Sequence, residues 1–445
     1  MNLLKKCISF GLCLIFFSST LTLSASATFD PGFDPISQSV YLVNTDTDTV
    51  LYEKNKDDLI VPASLVKMMT AIVAIESVPE DQIDDFLATE VTAPSYIFDE
   101  LYGLNASTAD IRPNEVLSMQ DLLYALMLSS ACEAASIIAD YVSGGDIPAF
   151  VDRMNQKAEE LGMTNTTFVD PHGLDEDTQR STAYDMYLLA DYAMDNPTFA
   201  QIATTQNYTM AATNKHAEPR RIQHTNHMMS SYLGGSYYDS RVKGIKTGTA
   251  GGIKNLVSCA ESSSYHYLLV TMGAPTSVSV NATYQDAEDL YDWVFDDFSF
   301  VTIGQPGEKM IPNNIKVQMG KNTDSVILTP QTTVVELLPN SIDPSAIQWD
   351  VSRLPSEIDA PIHQGDVIGE VDLKLAGDTI QTVTVTAAQD VQRSIPAYLL
   401  HLVTTTVTSW WFLSLLLLAA ILALVYFFIV VRHNQKRRKN RRPRW

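Results

Sequence analysis

Ser64 and Lys67 stand three residues apart in the run Val61-Pro62-Ala63-Ser64-Leu65-Val66-Lys67-Met68-Met69-Thr70-Ala71. On a helix, positions i and i+3 share a face one turn apart. Nearly every neighbour is apolar, and a helix apolar all round is a buried helix. A lysine in such surroundings is costly unless it loses its proton or finds partners. Burial lowers a lysine pKa, and a neutral amine beside a serine hydroxyl is a general base beside a nucleophile. The same spacing also allows a plainer reading, with Ser64 as a helix N-cap and Lys67 reaching outward to water.

Two further segments carry candidate chemistry. Ser129-Ser130-Ala131-Cys132 separates an apolar helical pattern over Leu122–Leu128 from another over Ile137–Val142. In Val242-Lys243-Gly244-Ile245-Lys246-Thr247-Gly248-Thr249, a strand over 242–248 is expected to end in Lys-Thr-Gly. Gly248 would let a substrate lie against the strand, and Lys246 could meet an anion.

Taken in order, S-x-x-K, S-x-N and K-T-G are the signature of serine penicillin-binding proteins and β-lactamases. The chain resembles the low-molecular-mass D-alanyl-D-alanine carboxypeptidases in more than these motifs. The hairpin from Tyr41 to Asn55, the stretch Gly162-Met163-Thr164-Asn165 through Asp170-Pro171-His172-Gly173-Leu174, and Ser181-Thr182-Ala183-Tyr184-Asp185 are similar as well. The resemblance implies an α+β fold, a penicillin-binding/β-lactamase-like domain with an antiparallel sheet flanked by helices, followed by a small all-β domain. It implies acylation of Ser64 by a peptidoglycan stem peptide ending in D-Ala-D-Ala, with β-lactams as inhibitors. Lys67 would take the serine proton and Ser130 would relay one to the leaving D-alanine. Lys246 and Thr247 would hold the terminal carboxylate, and the backbone N–H groups of Ser64 and Thr249 would form the oxyanion hole. No metal or other cofactor is implied. Cys132 stands where the family most often has Asn, and a thiol is a weaker donor and acceptor than an amide. It reads first as a small tolerated side chain, and second as a site of oxidation sensitivity. Asp170, Pro171 and His172 read as loop structure. His216, His224 and His227 lack metal-ligand spacing and read as surface or hydrogen-bonding residues. A β-lactamase and a non-catalytic wall-binding protein remain as rivals.

The elements that must position these residues follow from periodicity. Val40–Val43 and Val50–Glu53 read as a hairpin, and 64–77 as a helix. Ser118-Met119-Gln120-Asp121 reads as a capping box opening the next helix. Residues 255–261 and 265–272 read as strands, and 282–298 as an amphipathic helix. Short Val/Ile/Thr runs then continue to about 390, which is the texture of a small β module. The expected division is a signal peptide at 1–27, a catalytic domain at 28–298, a β-rich domain at 299–392, a juxtamembrane linker at 393–410, a transmembrane helix at 411–431 and a basic cytoplasmic tail at 432–445.

Charge and hydropathy place the two ends. The chain has 445 residues and a formal charge of −22. Residues 1–27 carry two lysines and no acid, 432–445 carry eight Lys/Arg, and the remainder stands at −32. So acidic a body excludes nucleic acid as the main partner. Lys5, Lys6, the apolar run Cys7–Phe17 and Ala25-Ser26-Ala27 have the pattern of an export signal. Trp411–Val431 holds no charge and at ~1.5 Å per residue reaches about one hydrocarbon thickness. The basic run after it argues for a cytoplasmic C-terminus and an external body. Beyond the signal region only Cys132 and Cys259 remain, too few for a disulfide scaffold, and they read as two free thiols.

Overall fold

The computed structural model describes residues 29–175, 177–309, 311, 315–321 and 323–439. The expected signal peptide therefore lies outside the described residues. The chain forms two compact units. One is Ser26–Phe300 with Leu337–Ile342, and the other is Val301–Glu336 with the chain from Asp343 onward.

In the first unit, β1 (Ser39–Asn44) and β2 (Thr49–Lys54) form the hairpin. They join β3 (Lys246–Ala250), β4 (Ile253–Ser262) and β5 (Tyr265–Pro275) in one antiparallel sheet of order β2-β1-β5-β4-β3. Leu42 faces Leu269, and Val257 faces Val270. Side chains alternate between the two faces of a strand, so the sheet separates two cores. Val43, Val257, Leu268 and Val270 pack on one side with α1 (Val66–Ile75), α2 (Met119–Met127), α3 (Cys132–Ser143) and α4 (Ala183–Met194). Leu42, Leu256 and Leu269 pack on the other with Ala287, Leu290, Tyr291 and Val294 of α5 (Ala282–Asp297).

All ten residues of α1 are buried, as a sequence apolar on every side requires. The helix is shorter than the expected 64–77, because Ala63–Leu65 forms a 3-10 turn before it. Of the expected capping box, the N-cap bond is present. Ser118 Oγ accepts from the Asp121 N–H at 3.0 Å and opens α2. A satisfied N-cap of this kind is worth ~1 kcal/mol. One expectation is corrected in β3, which begins at Lys246 instead of ending there. Val242 makes only an isolated bridge to Ala260. The Gly244 and Ile245 carbonyls accept from the side chains of Asn226 and His224, at 2.8 and 3.1 Å, in place of a regular ladder.

In the second unit β6 (Leu328–Pro330), β7 (Gln348–Asp350), β8 (Val367–Leu375) and β9 (Asp378–Ala387) form a sheet of order β6-β9-β8-β7. The β8–β9 turn uses Ala376 and Gly377, both at positive φ, as a tight hairpin turn demands. A smaller sheet joins Ile315–Gln318 to Ser325–Val326 and Glu357–Asp359. Beyond it α6 (Ile395–Thr408) stops at an extended Ser409. Then α7 (Trp410–Lys439) begins, of 30 residues. The helix is longer than the expected 411–431 because Asn, Gln, Lys and Arg after Val431 are compatible with helix and contain no breaker. It is long and apolar enough to cross a membrane, and its apolar window is not buried inside the protein.

Candidate active site

Ser64 sits in the 3-10 turn that leads into α1, and several distant segments fix it there. Ala63 is held at φ +52°, in the left-handed region, a conformation that costs a non-glycine residue ~1–2 kcal/mol. Gly173 lies against it. A Cβ at Gly173 would come within 2.1 Å of the Ala63 carbonyl oxygen. From the sheet side, a Cβ at Gly248 would lie 2.9 Å from the Pro62 oxygen and 3.4 Å from the Ser64 nitrogen. The room that Gly248 leaves is thus filled by the nucleophile's own loop, which the sequence reading had given to substrate. Asn255 adds a tie, donating from Nδ2 to the carbonyls of Val61 and Pro62 at 2.9 and 3.2 Å. Its Oδ1 accepts from the Gly273 N–H at 2.9 Å.

Lys67 has no exposed surface. Its Nζ lies 2.9 Å from Ser64 Oγ, 3.5 Å from Cys132 Sγ and 2.5 Å from the His172 carbonyl oxygen. Burial pulls the Lys67 pKa below the ordinary lysine value, against the opposing pull of Cys132, Asp170 and Glu133. An ammonium would donate to all three neighbours. A neutral amine has two donors and one lone pair. Donating to the carbonyl and the sulfur leaves that lone pair facing the Ser64 hydroxyl.

The His172 carbonyl is delivered by a stiff loop. Asp170 accepts from the N–H groups of His172, Gly173 and Asp175 at 3.0, 2.5 and 2.8 Å. These bonds and His172 hold its carboxyl well below the usual range despite burial. The loop is also pinned to α1, where Thr70 Oγ1 donates to the Pro171 oxygen at 2.6 Å. The expected loop structure is present, and the lysine leans on it.

Ser130 closes the other side of the cleft, in the corner between α2 and α3 at φ +57°. Its Oγ accepts from Lys246 Nζ at 3.0 Å, and the same nitrogen donates to the Thr247 oxygen at 2.9 Å. Lys246 is fully buried. Burial, and after it the charge of Lys67, push its pKa well down. The sequence reading gave Lys246 to the substrate's carboxylate; the contacts its Nζ makes here are to Ser130 and Thr247. Cys132, read first from sequence as a small tolerated side chain, has its thiol 3.5 Å from the lysine paired with Ser64.

Thr247, Thr249 and Ser130 line a cleft of about 330 Å³ with Ser64, Thr225 and Lys254. Thr247 Oγ1 donates to Thr225 Oγ1 at 2.7 Å. His224 is buried with its pKa pushed down to about 3 by burial and Lys246. As a neutral ring it accepts from the Asn226 N–H and donates to the Ile245 carbonyl, which steadies the approach to β3. His227 stands on the cleft rim, and His216 bonds the Asp110 oxygen. Asn255, Gly173 and Thr70 were missed from sequence, because each acts through a partner about 100 to 190 positions away.

Residues 26–276 match the family model described as D-alanyl-D-alanine carboxypeptidase, and 298–393 match that of the penicillin-binding protein 5 C-terminal domain. The chain belongs to the D-alanyl-D-alanine carboxypeptidase family. The carboxypeptidase DacF of Bacillus subtilis is 27% identical, over 80% of this chain and 86% of that one. The carboxypeptidase of Streptomyces sp. strain K15 is 30% identical, over 57% of this chain and 86% of its own. The crystal structure of penicillin-binding protein 5 from Haemophilus influenzae superposes with a TM-score of 0.60 at 25% identity, covering 81% of this chain and 99% of that one. This D-alanyl-D-alanine carboxypeptidase is accordingly a serine peptidase that acts on peptidoglycan peptides ending in D-Ala-D-Ala and binds penicillin.

Proposed function

We propose that Ser64 is the nucleophile of this carboxypeptidase and Lys67 its general base. The observation that carries this reading is the 2.9 Å contact between Ser64 Oγ and the Nζ of a lysine with no exposed surface. Ser64 attacks the carbonyl carbon of the penultimate D-alanine while its proton passes to Lys67. The oxyanion faces the backbone N–H groups of Ser64 and Thr249, where one donor is typically worth ~10²–10³ in rate. Ser130 gives a proton to the leaving nitrogen and is resupplied through Lys246, which donates to it. Free D-alanine departs, and water cleaves the ester on Ser64. Thr247 and Thr249 flank the substrate, Gly248 keeps β3 close to the nucleophile, Lys246 orients Ser130, and Cys132 supports Lys67. Residues 1–27 direct export, and α7 anchors the protein with its basic end in the cytoplasm and the catalytic unit outside. The charge run after Val431 supports that orientation.

Intact-mass analysis after penicillin treatment tests the assignment. One adduct is expected, mapping to Ser64 and absent from Ser64→Ala. An adduct on another residue, or D-alanine release that survives Ser64→Ala, would overturn it.

A further inference from the structure

We propose that Lys254 supplies the positive charge that holds the substrate's terminal carboxylate. The inference deepens the functional reading above and rests on it. A carboxylate leaving bulk water needs a cation or several donors. The cation expected from the motif is not turned toward it. Lys246 is sealed from solvent, with its Nζ given to Ser130 Oγ and the Thr247 oxygen.

The register of β3 on β4 explains the difference. Lys246 pairs with Val257, Thr247 with Leu256, Gly248 with Asn255 and Thr249 with Lys254. Directly opposed residues of an antiparallel pair share a face, and faces alternate along the strand. Val257 belongs to the core around α1, whereas Leu256 belongs to the core around α5. Lys246, Gly248 and Asn255 therefore face the nucleophile's helix. Thr247, Thr249 and Lys254 face the other way, toward the start of α5. A carboxylate seated on the two threonine hydroxyls has Lys254 beside it, while the Lys246 side chain leaves β3 on the opposite face.

Lys254 is suited to this place. It lines the same cleft as Ser64, Ser130 and Thr249. It is half-buried, and its side-chain bond to Asn281 Oδ1 is a long one, 3.4 Å. Among the described residues it has no ion-pair partner, and no Asp or Glu lines the cleft. Among the described residues its charge is thus held at the rim without an anion of its own.

The test uses the detergent-solubilised full chain and a tripeptide ending in D-Ala-D-Ala. Lys254→Met is expected to raise KM about tenfold with kcat nearly unchanged, the size of one lost charge-assisted contact. Lys254→Arg should restore KM, since guanidinium also binds carboxylates. Penicillin, itself a carboxylate, should lose initial affinity in Lys254→Met while the acylation step of the bound drug keeps its rate. Lys254→Gln preserves a donor to Asn281 without the charge and should behave as Met does. It decides the matter if the methionine variant folds poorly. An unchanged KM, a loss confined to kcat, or a glutamine variant that behaves like the parent would overturn the proposal. A parent chain that releases no D-alanine and takes no label at Ser64 would overturn the underlying reading instead.

Discussion

Helices α1 and α7 carry the same sequence signal and meet opposite surroundings. Both are apolar on every side. All ten residues of α1 are buried in the protein, while the apolar stretch of α7 is bare. Apolarity all round excludes water from a helix without naming what replaces it. For α1 the replacement is the helices and sheet of its own unit, and α7 is long and apolar enough for a bilayer core to take that place. The two also treat charge differently. The lysine in α1 stands in the first turn with three polar contacts. The cations of α7 follow Val431, past the apolar stretch.

Charge placed in the middle of each helix should break the symmetry. Leu418→Lys combined with Leu422→Lys in α7 should cost ~5–7 kcal/mol of insertion, at ~2.5–3.5 kcal/mol per lysine near a span's centre. The fraction of protein released by alkaline extraction reports this, and an unchanged membrane fraction would contradict the spanning assignment. Removing charge from α1 is the converse. Lys67→Met should slow penicillin acylation by ~10²–10⁴-fold, the usual worth of a general base. Melting temperature should hold or rise, because an apolar side chain of similar volume removes the desolvation cost of a buried polar amine. In the parent enzyme, acylation should increase with pH as Lys67 loses its proton. The midpoint should fall below the ordinary lysine value of 10.5, because burial lowers that pKa. A midpoint at or above 10.5 would deny Lys67 the base role.

The β unit offers a milder case. Glu336 is 5% exposed and has no side-chain partner among the described residues, and burial pushes its pKa up to about 7. Its folded value exceeds its unfolded value near 4.5, so the folded state binds the extra proton between them. Stability of this unit should therefore fall as pH rises from about 4.5 to about 7, by ~1–3 kcal/mol, and level off above. Glu336→Gln should flatten that dependence in a pH series of denaturant melts. A slope that survives the substitution would assign it to another group.

The catalytic motifs were legible because their chemistry lies in local spacing. Ser64 and Lys67 are one helical turn apart, and Lys246 to Thr249 are consecutive. What spacing could not supply is the long-range fit. Nothing near Asn255 in the chain announces that its amide reaches Val61, and nothing near Gly173 announces that its missing side chain admits Ala63. The facing of Lys246 was hidden for a related reason. Period-2 alternation separates its side from that of Thr247, but which side holds the nucleophile depends on strand pairing. The start of β3 was misjudged because side chains of His224 and Asn226, some 20 residues earlier, take carbonyls that a regular strand would offer to its neighbour.

The outermost position of β3 in its sheet carries one more consequence. A rim strand has a row of main-chain groups that no neighbouring strand occupies. An incoming peptide that aligns there is gripped by the amides common to every polypeptide, so the residues along its length go largely unread. Recognition then concentrates on the terminus. Polymers of varied composition can share one processing enzyme, provided each chain stops in the same way.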